Sequence, residues 1–228
     1  MKQAEDRVAD ADGAYEMVMD AIVTQRLAPS QKVSENILNA MFGISRTASR
    51  NLIERLTAQQ FLEVVSPRIT RVAPLTLMEV KQNFALRKLL VPEMAALSAV
   101  RLEFETLDQY RHEVASLLPI ENDAMALTLL KANKRLNLAI CEKAGFPLMQ
   151  HWHRHLEDTA MRIYWFYVKT NKSFPYTMEQ ESLVVEILKS GEPNRIKKYL
   201  FERLCQTEER ILNAIFSNDQ FFTQNLKI

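Results

Sequence analysis

Residues 33–62, VSENILNAMFGISRTASRNLIERLTAQQFL, decide the reading of this chain. The stretch reads as two short helices broken at Gly43, the second opening at Ser45. Ser34 and Ser45 stand where helix N-caps are wanted, each with a hydroxyl able to accept a backbone N–H bond. Gly43 can adopt the left-handed conformation that ends a helix. On a helical wheel, residues 45–56 divide into two faces. Leu52, Ile53 and Leu56 fall on one side with small Ser49, and Arg46, Thr47, Arg50 and Asn51 on the other. A short helix with arginines, a hydroxyl and an amide near its N-terminus suits the DNA major groove. There Arg can bond guanine, Asn can bond adenine, and Ser or Thr can reach phosphate or base. The same wheel fits a solvated helix in an ordinary bundle.

The motif resembles the N-terminal winged helix–turn–helix of the GntR family of bacterial transcription regulators. That family's L-S-E-x-x-L-A-x-x-x-G-V-S-R-T-P-V-R-E-A-L-x-x-L-x-x-x-G-L pattern lies without a gap on residues 33–61. Ser34, Glu35, Leu38, Gly43, Ser45, Arg46, Thr47, Arg50 and Leu56 match. Ala48 stands where the family has Pro, Asn51 where it has Glu, and Gln60 where it has Gly. The resemblance implies a regulator that binds a double-stranded, pseudo-palindromic operator as a homodimer, with repression the usual outcome.

Around this motif the composition is that of a globular, mainly α chain. The 228 residues are 47% hydrophobic and 25% charged, and the four glycines fall at 13, 43, 145 and 191, three of them where a helical pattern stops. Cys141 and Cys205 form no CxxC pair and read as reduced, buried thiols. No apolar run reaches the ~18–20 residues of a membrane span, and the acidic N-terminus is no signal peptide, so a cytoplasmic protein is expected. Net charge is only +1, but between Ile22 and Pro74 seven bases face three acids. The reading head is therefore basic.

In chain order, Tyr15, Val18, Ile22 and Leu27 predict a first helix over about 14–26, after a dozen N-terminal residues expected to be disordered. After the helix–turn–helix, FLEVV and RITRVAP joined at Ser66-Pro67 read as a hairpin, the wing. Arg68 and Arg71 are its phosphate or minor-groove candidates. Ile69 replaces the glycine usual there, which predicts a stiffer or differently shaped tip. Pro74-Leu75 is the expected boundary between a DNA-binding domain, 1–75, and a helical effector-binding and dimerisation domain, 76–228. Six antiparallel helices are expected in the second: from Thr76 to about 102, 106–118, 123–144, 147–169, 178–190 and 193–216.

This second part resembles the FCD domain of the FadR subfamily in Arg87-x-x-Leu90 with Pro92-x-x-Ala95-Ala96, ICEKAGFPLM and ILKSGEPNRIKKYL. Many FCD domains hold a divalent metal through an Asp and a His four residues apart, plus two later histidines. Here those positions carry Asn133, Asn137, Glu181 and, near the last, Arg203. That donor set forms no transition-metal site. The expectation is therefore a bundle without metal or cofactor, with Glu181 and Arg203 paired or holding a ligand directly. Arg87 matches an arginine that faces the FCD pocket and suits a small organic acid effector, although an interhelix salt bridge explains it equally. His151 and His155, four residues apart, could chelate a metal; a helix face beside an acid such as Glu157 is the plainer reading. The run 163–168 reads as a buried segment. No phosphate loop, nucleophile elbow or nucleophile–base pair is present, so an all-α enzyme is a remote alternative. A regulator controlled by a partner protein is another, to be favoured by a solidly packed interior.

Overall fold

A computed structural model describes residues 2–217, with side chains from Asp12 onward. The chain divides after Leu75 into two compact units.

The first unit holds α1 (Lys2–Val23), β1 (Lys32–Val33), α2 (Glu35–Phe42), α3 (Arg46–Ala58), β2 (Leu62–Ser66) and β3 (Ile69–Val72). Its core gathers Val18 and Ile22 of α1, Leu38 of α2, Leu52 and Leu56 of α3, and Phe61, Leu62 and Val72 of the sheet. Fully burying each such side chain contributes about 1.5–3 kcal/mol. The first helix starts at Lys2, not near residue 14, so residues 2–13, expected to be disordered, are helical. The hairpin β2–β3 gains a third strand that no alternation pattern announced. The two-residue β1 pairs antiparallel with β3, in the order β1-β3-β2. Two residues are too few to show a period, and only pairing defines them.

The second unit comprises α4 (Leu77–Ser98), a 3-10 turn at Ala99–Arg101, α5 (Phe104–Ser116), α6 (Asp123–Glu142), α7 (Pro147–Asn171), α8 (Met178–Lys189) and α9 (Pro193–Phe216). Local chemistry sets the helix starts. Thr76 with Glu79 and Thr177 with Gln180 form capping boxes, Asn122 caps α6, and Pro147 and Pro193 open α7 and α9. Central α4 packs against α6, α7 and α9. The run at 163–168 is buried at Ile163, Tyr164, Trp165, Phe166 and Val168. Among the described residues no helix is long and apolar enough to cross a membrane.

Candidate nucleic-acid interface and the buried cluster of the helical unit

The turn between α2 and α3 is fixed by short-range bonds. The Ser34 hydroxyl accepts from Ile37 N and the Ser45 hydroxyl from Ala48 N, each at 3.3 Å. Gly43 takes φ +70 and donates its N–H to Asn39 O. The Asn39 amide donates to Ile44 O at 2.9 Å. The two cap hydroxyls are thereby engaged within the protein, and their role is to aim the helix.

With Ser49, Leu52 and Leu56 buried, the opposite face of α3 is presented to solvent. Arg46, Thr47, Arg50 and Asn51 are all exposed on it. Arg50 Nε lies 2.9 Å from Glu35 Oε1 at the surface. Exposed ion pairs of this kind contribute about 0–1 kcal/mol, so Arg50 is held in place without being locked. Arg55, lower on the helix, is used structurally: it bonds Asp12 at 3.2 Å and stacks 3.9 Å from the Tyr15 ring centre. Arg68 stands exposed at the hairpin tip, its N–H donating to Ser66 Oγ. Arg71 is half-exposed and bonds Glu63 at 2.5 Å across the β2–β3 pair. Arg46 and Arg68 have no ion pair among the described residues. The tip around Ile69 needs no positive φ. The strained position lies upstream, where Gln60 sits at φ +62.

In the helical unit the candidate residues turn inward. Arg87, buried on α4, donates to Glu157 Oε1 at 2.7 Å and to the Tyr164 hydroxyl at 2.8 Å. Asn137 donates to the other Glu157 oxygen at 2.9 Å. Burial alone would raise the Glu157 carboxyl; Arg87, with His153 and Asn137, outweighs it and brings the carboxyl down to about 2. Glu181 and Arg203 form an ion pair, and the guanidinium stacks 4.4 Å from the Tyr176 ring centre. The Tyr176 hydroxyl donates to Asn133 Oδ1. The four metal positions implied by the resemblance thus carry two amides, one acid and one guanidinium, all bonded to neighbouring side chains. They do not fit a divalent metal: a fixed cation stands where a ligand would have to be.

The space beside Arg87, lined also by Glu157, Tyr164, Tyr176 and Arg203, measures about 30 Å³. That suits a buried water or two and not an organic acid. As an open receptor for a ligand carboxylate, Arg87 is corrected: a carboxylate of the protein itself, Glu157, occupies it.

The histidine expectation also shifts. His151 is exposed and His155 half-buried, whereas His153, one turn from Glu157, is the buried member. Its Nε2 stands 3.6 Å from Glu157 Oε1. Among the described residues no three His, Cys, Asp or Glu side chains are placed to hold a metal. His153, Glu157, Tyr164 and Tyr176 were not singled out from the sequence as members of a site. Glu157 stands among His153, Arg154, His155, Asp158 and Arg162, so no local signal in the sequence marked it as the acid that Arg87 meets.

No family model and no curated protein matches this chain. Solved structures do. E. coli McbR/YncC superposes with a TM-score of 0.74 at 17% identity, covering 89% of this chain and 97% of its own. A proposed GntR transcriptional regulator from Rhodococcus sp. RHA1 gives 0.70 at 14% identity, with 90% and 99% covered. A GntR family member from Pseudomonas syringae pv. tomato gives 0.50 at 20%, with 90% and 86% covered. The likeness extends over both units, so this chain shares its fold with these solved structures along nearly its whole length.

Proposed function

We propose that this protein is a cytoplasmic transcription regulator, a repressor, that binds a pseudo-palindromic operator as a homodimer. One observation carries the reading: a capped helix, anchored by Ser49, Leu52 and Leu56, exposes Arg46, Thr47, Arg50 and Asn51 together on its outer face. Those side chains suit base edges in the major groove, and Arg68 and Arg71 on the wing suit the flanking phosphates. A second copy would cover the apolar surface of α4 and α7, where Leu86, Leu89 and Trp152 line a groove of about 480 Å³. Leu86, Leu89 and Trp152 are all exposed and adjoin one another, and it is such a contiguous apolar patch, not any one leucine, that marks an interaction surface. A twofold pair is also what two half-sites require.

Selection of bound duplexes from a random pool tests this reading. Enrichment of an inverted repeat, lost when Leu89→Glu makes the protein monomeric, is the expected result. Enrichment of single half-sites, or of nothing, contradicts it.

The packed centre supports one refinement. Arg87, Asn133, Asn137, Glu181 and Arg203 act as an internal network in place of an effector site, so control by a partner protein or by a ligand elsewhere on the bundle replaces control through Arg87.

A further inference from the structure

The hairpin β2–β3 carries apolar side chains that no core covers: Val64, Val65 and Ile69 are 60%, 51% and 42% exposed. Leu62 and Val72, paired across the strands, are buried, so the core of the winged head ends there. Val64, two residues further along the same face, overhangs it. Val65 is released by the register. Val64 lies opposite Thr70 and Ser66 opposite Ile69, which leaves Val65 between them as a bulge. A bulge of this kind re-aims a side chain. The tip beyond is held short and stiff. Pro67 fixes its own φ, and the Ser66 hydroxyl accepts the Arg68 N–H at 3.4 Å. Valine and isoleucine are themselves stiff at χ1, so the tip has little freedom to lose on binding.

Cations surround this apolar tip. Arg68 is exposed in the turn, Arg71 shares the face of Ile69, and Lys32 of β1 lies directly opposite Arg71. The one acid of β2 and β3, Glu63, is taken by Arg71 at 2.5 Å. Lys32 and Arg68 have no ion pair among the described residues. Surplus positive charge around an apolar wedge fits a polyanion that also offers apolar surface. The minor groove of DNA is such a surface, with sugars for walls and phosphates along both edges. The hairpin begins four residues after α3 ends, so it is tethered close to the exposed Arg46 and Arg50.

We propose that Val65 and Ile69 enter the minor groove beside each half-site as an apolar wedge, while Lys32, Arg68 and Arg71 hold the phosphates at its edges. The proposal rests on the regulator reading and adds what the wing selects. Valine and isoleucine make no hydrogen bond to a base, so the selection is by shape and deformability. The guanine 2-amino group projects into the minor groove, and A·T pairs lack it. An apolar wedge also unstacks a base step and bends the duplex, most cheaply at TA or CA steps. The flank of each half-site is therefore A·T-rich and becomes bent in the complex.

Fluorescence anisotropy of the full chain on its selected operator, with the flanking pairs made A·T, inosine·C or G·C, tests this. Inosine·C keeps the major-groove face of G·C and lacks the minor-groove amino group. A·T and inosine·C flanks are expected to bind about tenfold tighter than G·C. Val65→Ser combined with Ile69→Ser should make the three flanks equal and reduce the bend read by energy transfer between the duplex ends. Discrimination of the half-site itself should persist. Arg68→Ala should weaken all three flanks alike and lower the salt slope by about one. Melting temperatures show that each variant is folded. Equal flanks for the unaltered protein, inosine·C behaving as G·C, or a flank preference that survives the double substitution overturns the proposal and leaves the regulator reading standing. A double variant whose oligomeric state changes while its flank preference stays assigns the tip to a second copy of the chain, and also overturns it. Absence of any sequence-specific duplex overturns both.

Discussion

Two arginines, each bonded to one glutamate, separate the two units of this molecule. In the winged head, Arg50 meets Glu35 at 2.9 Å with its side chain 68% exposed. In the helical unit, Arg87 meets Glu157 at 2.7 Å with its side chain 4% exposed. The bonds are nearly identical, and their surroundings give them opposite meanings. Water screens the first pair, so it can be exchanged for a DNA phosphate or base at little cost. The second pair is shut away from bulk water, and removing one partner strands a buried charge. The exposed arginine is held loosely, as the proposed reading of DNA requires; the buried one is held by Glu157 and Tyr164, with only its Nε left without a partner.

The buried pair should give the largest effect. Glu157→Ala leaves Arg87 without its acid, and a loss of about 3–5 kcal/mol is expected in chemical denaturation. Replacing Arg87 and Glu157 together by Leu should cost much less than the sum of the single changes, and additive losses would show that the two do not act as a pair.

The same cluster carries a pH signature. The Glu157 carboxyl falls from 4.5 in the unfolded chain to about 2 in the fold, so its contribution is full above pH 4.5 and is lost as pH falls toward 2. The His153 ring rises from 6.5 to about 10, so its contribution is full below pH 6.5 and is lost as pH rises toward 10. The cluster should therefore stabilise most between pH 4.5 and 6.5. His153→Gln should flatten the alkaline limb of a melting-temperature profile, and an unchanged limb would mean that another group sets it.

Smaller effects are expected in the head. Gln60 pays strain at φ +62, and Gln60→Gly should stabilise that unit by about 1 kcal/mol against urea. Glu35→Ala, which breaks the exposed pair, should change stability by less than about 1 kcal/mol and leave operator binding intact or tighter. A large loss of fold would mean that Arg50 is locked after all.

How far the sequence could be read follows the same division. The six helices of the second unit were visible from Thr76 as a cap, Pro193 as a start and Gly145 and Gly191 as stops; the caps at Asn122 and Thr177 emerged only in the fold, and α5 has no side-chain cap at all. The outer face of α3 was legible because 3.6-residue periodicity assigns Arg46 and Arg50 to the side opposite Leu52 and Leu56. Strand β1 was not, since its two residues are defined only by their partners Thr70 and Arg71. Nor was the Glu157 cluster. It joins α4, α6 and α7 across 70 residues of sequence, and no local pattern specifies which buried acid an arginine will meet. The helical start at Lys2 was hidden by a run of acids that reads as a solvated tail.

The exposed face of α3 is most directly tested by operator affinity of Arg46→Ala combined with Arg50→Ala, measured by fluorescence anisotropy over a salt series. The double variant should fold normally, lose about 1–3 kcal/mol of affinity per base contact removed, and no longer discriminate operator from unrelated duplex. Wild-type affinity and discrimination in that variant would contradict the assignment of α3 as the reading helix.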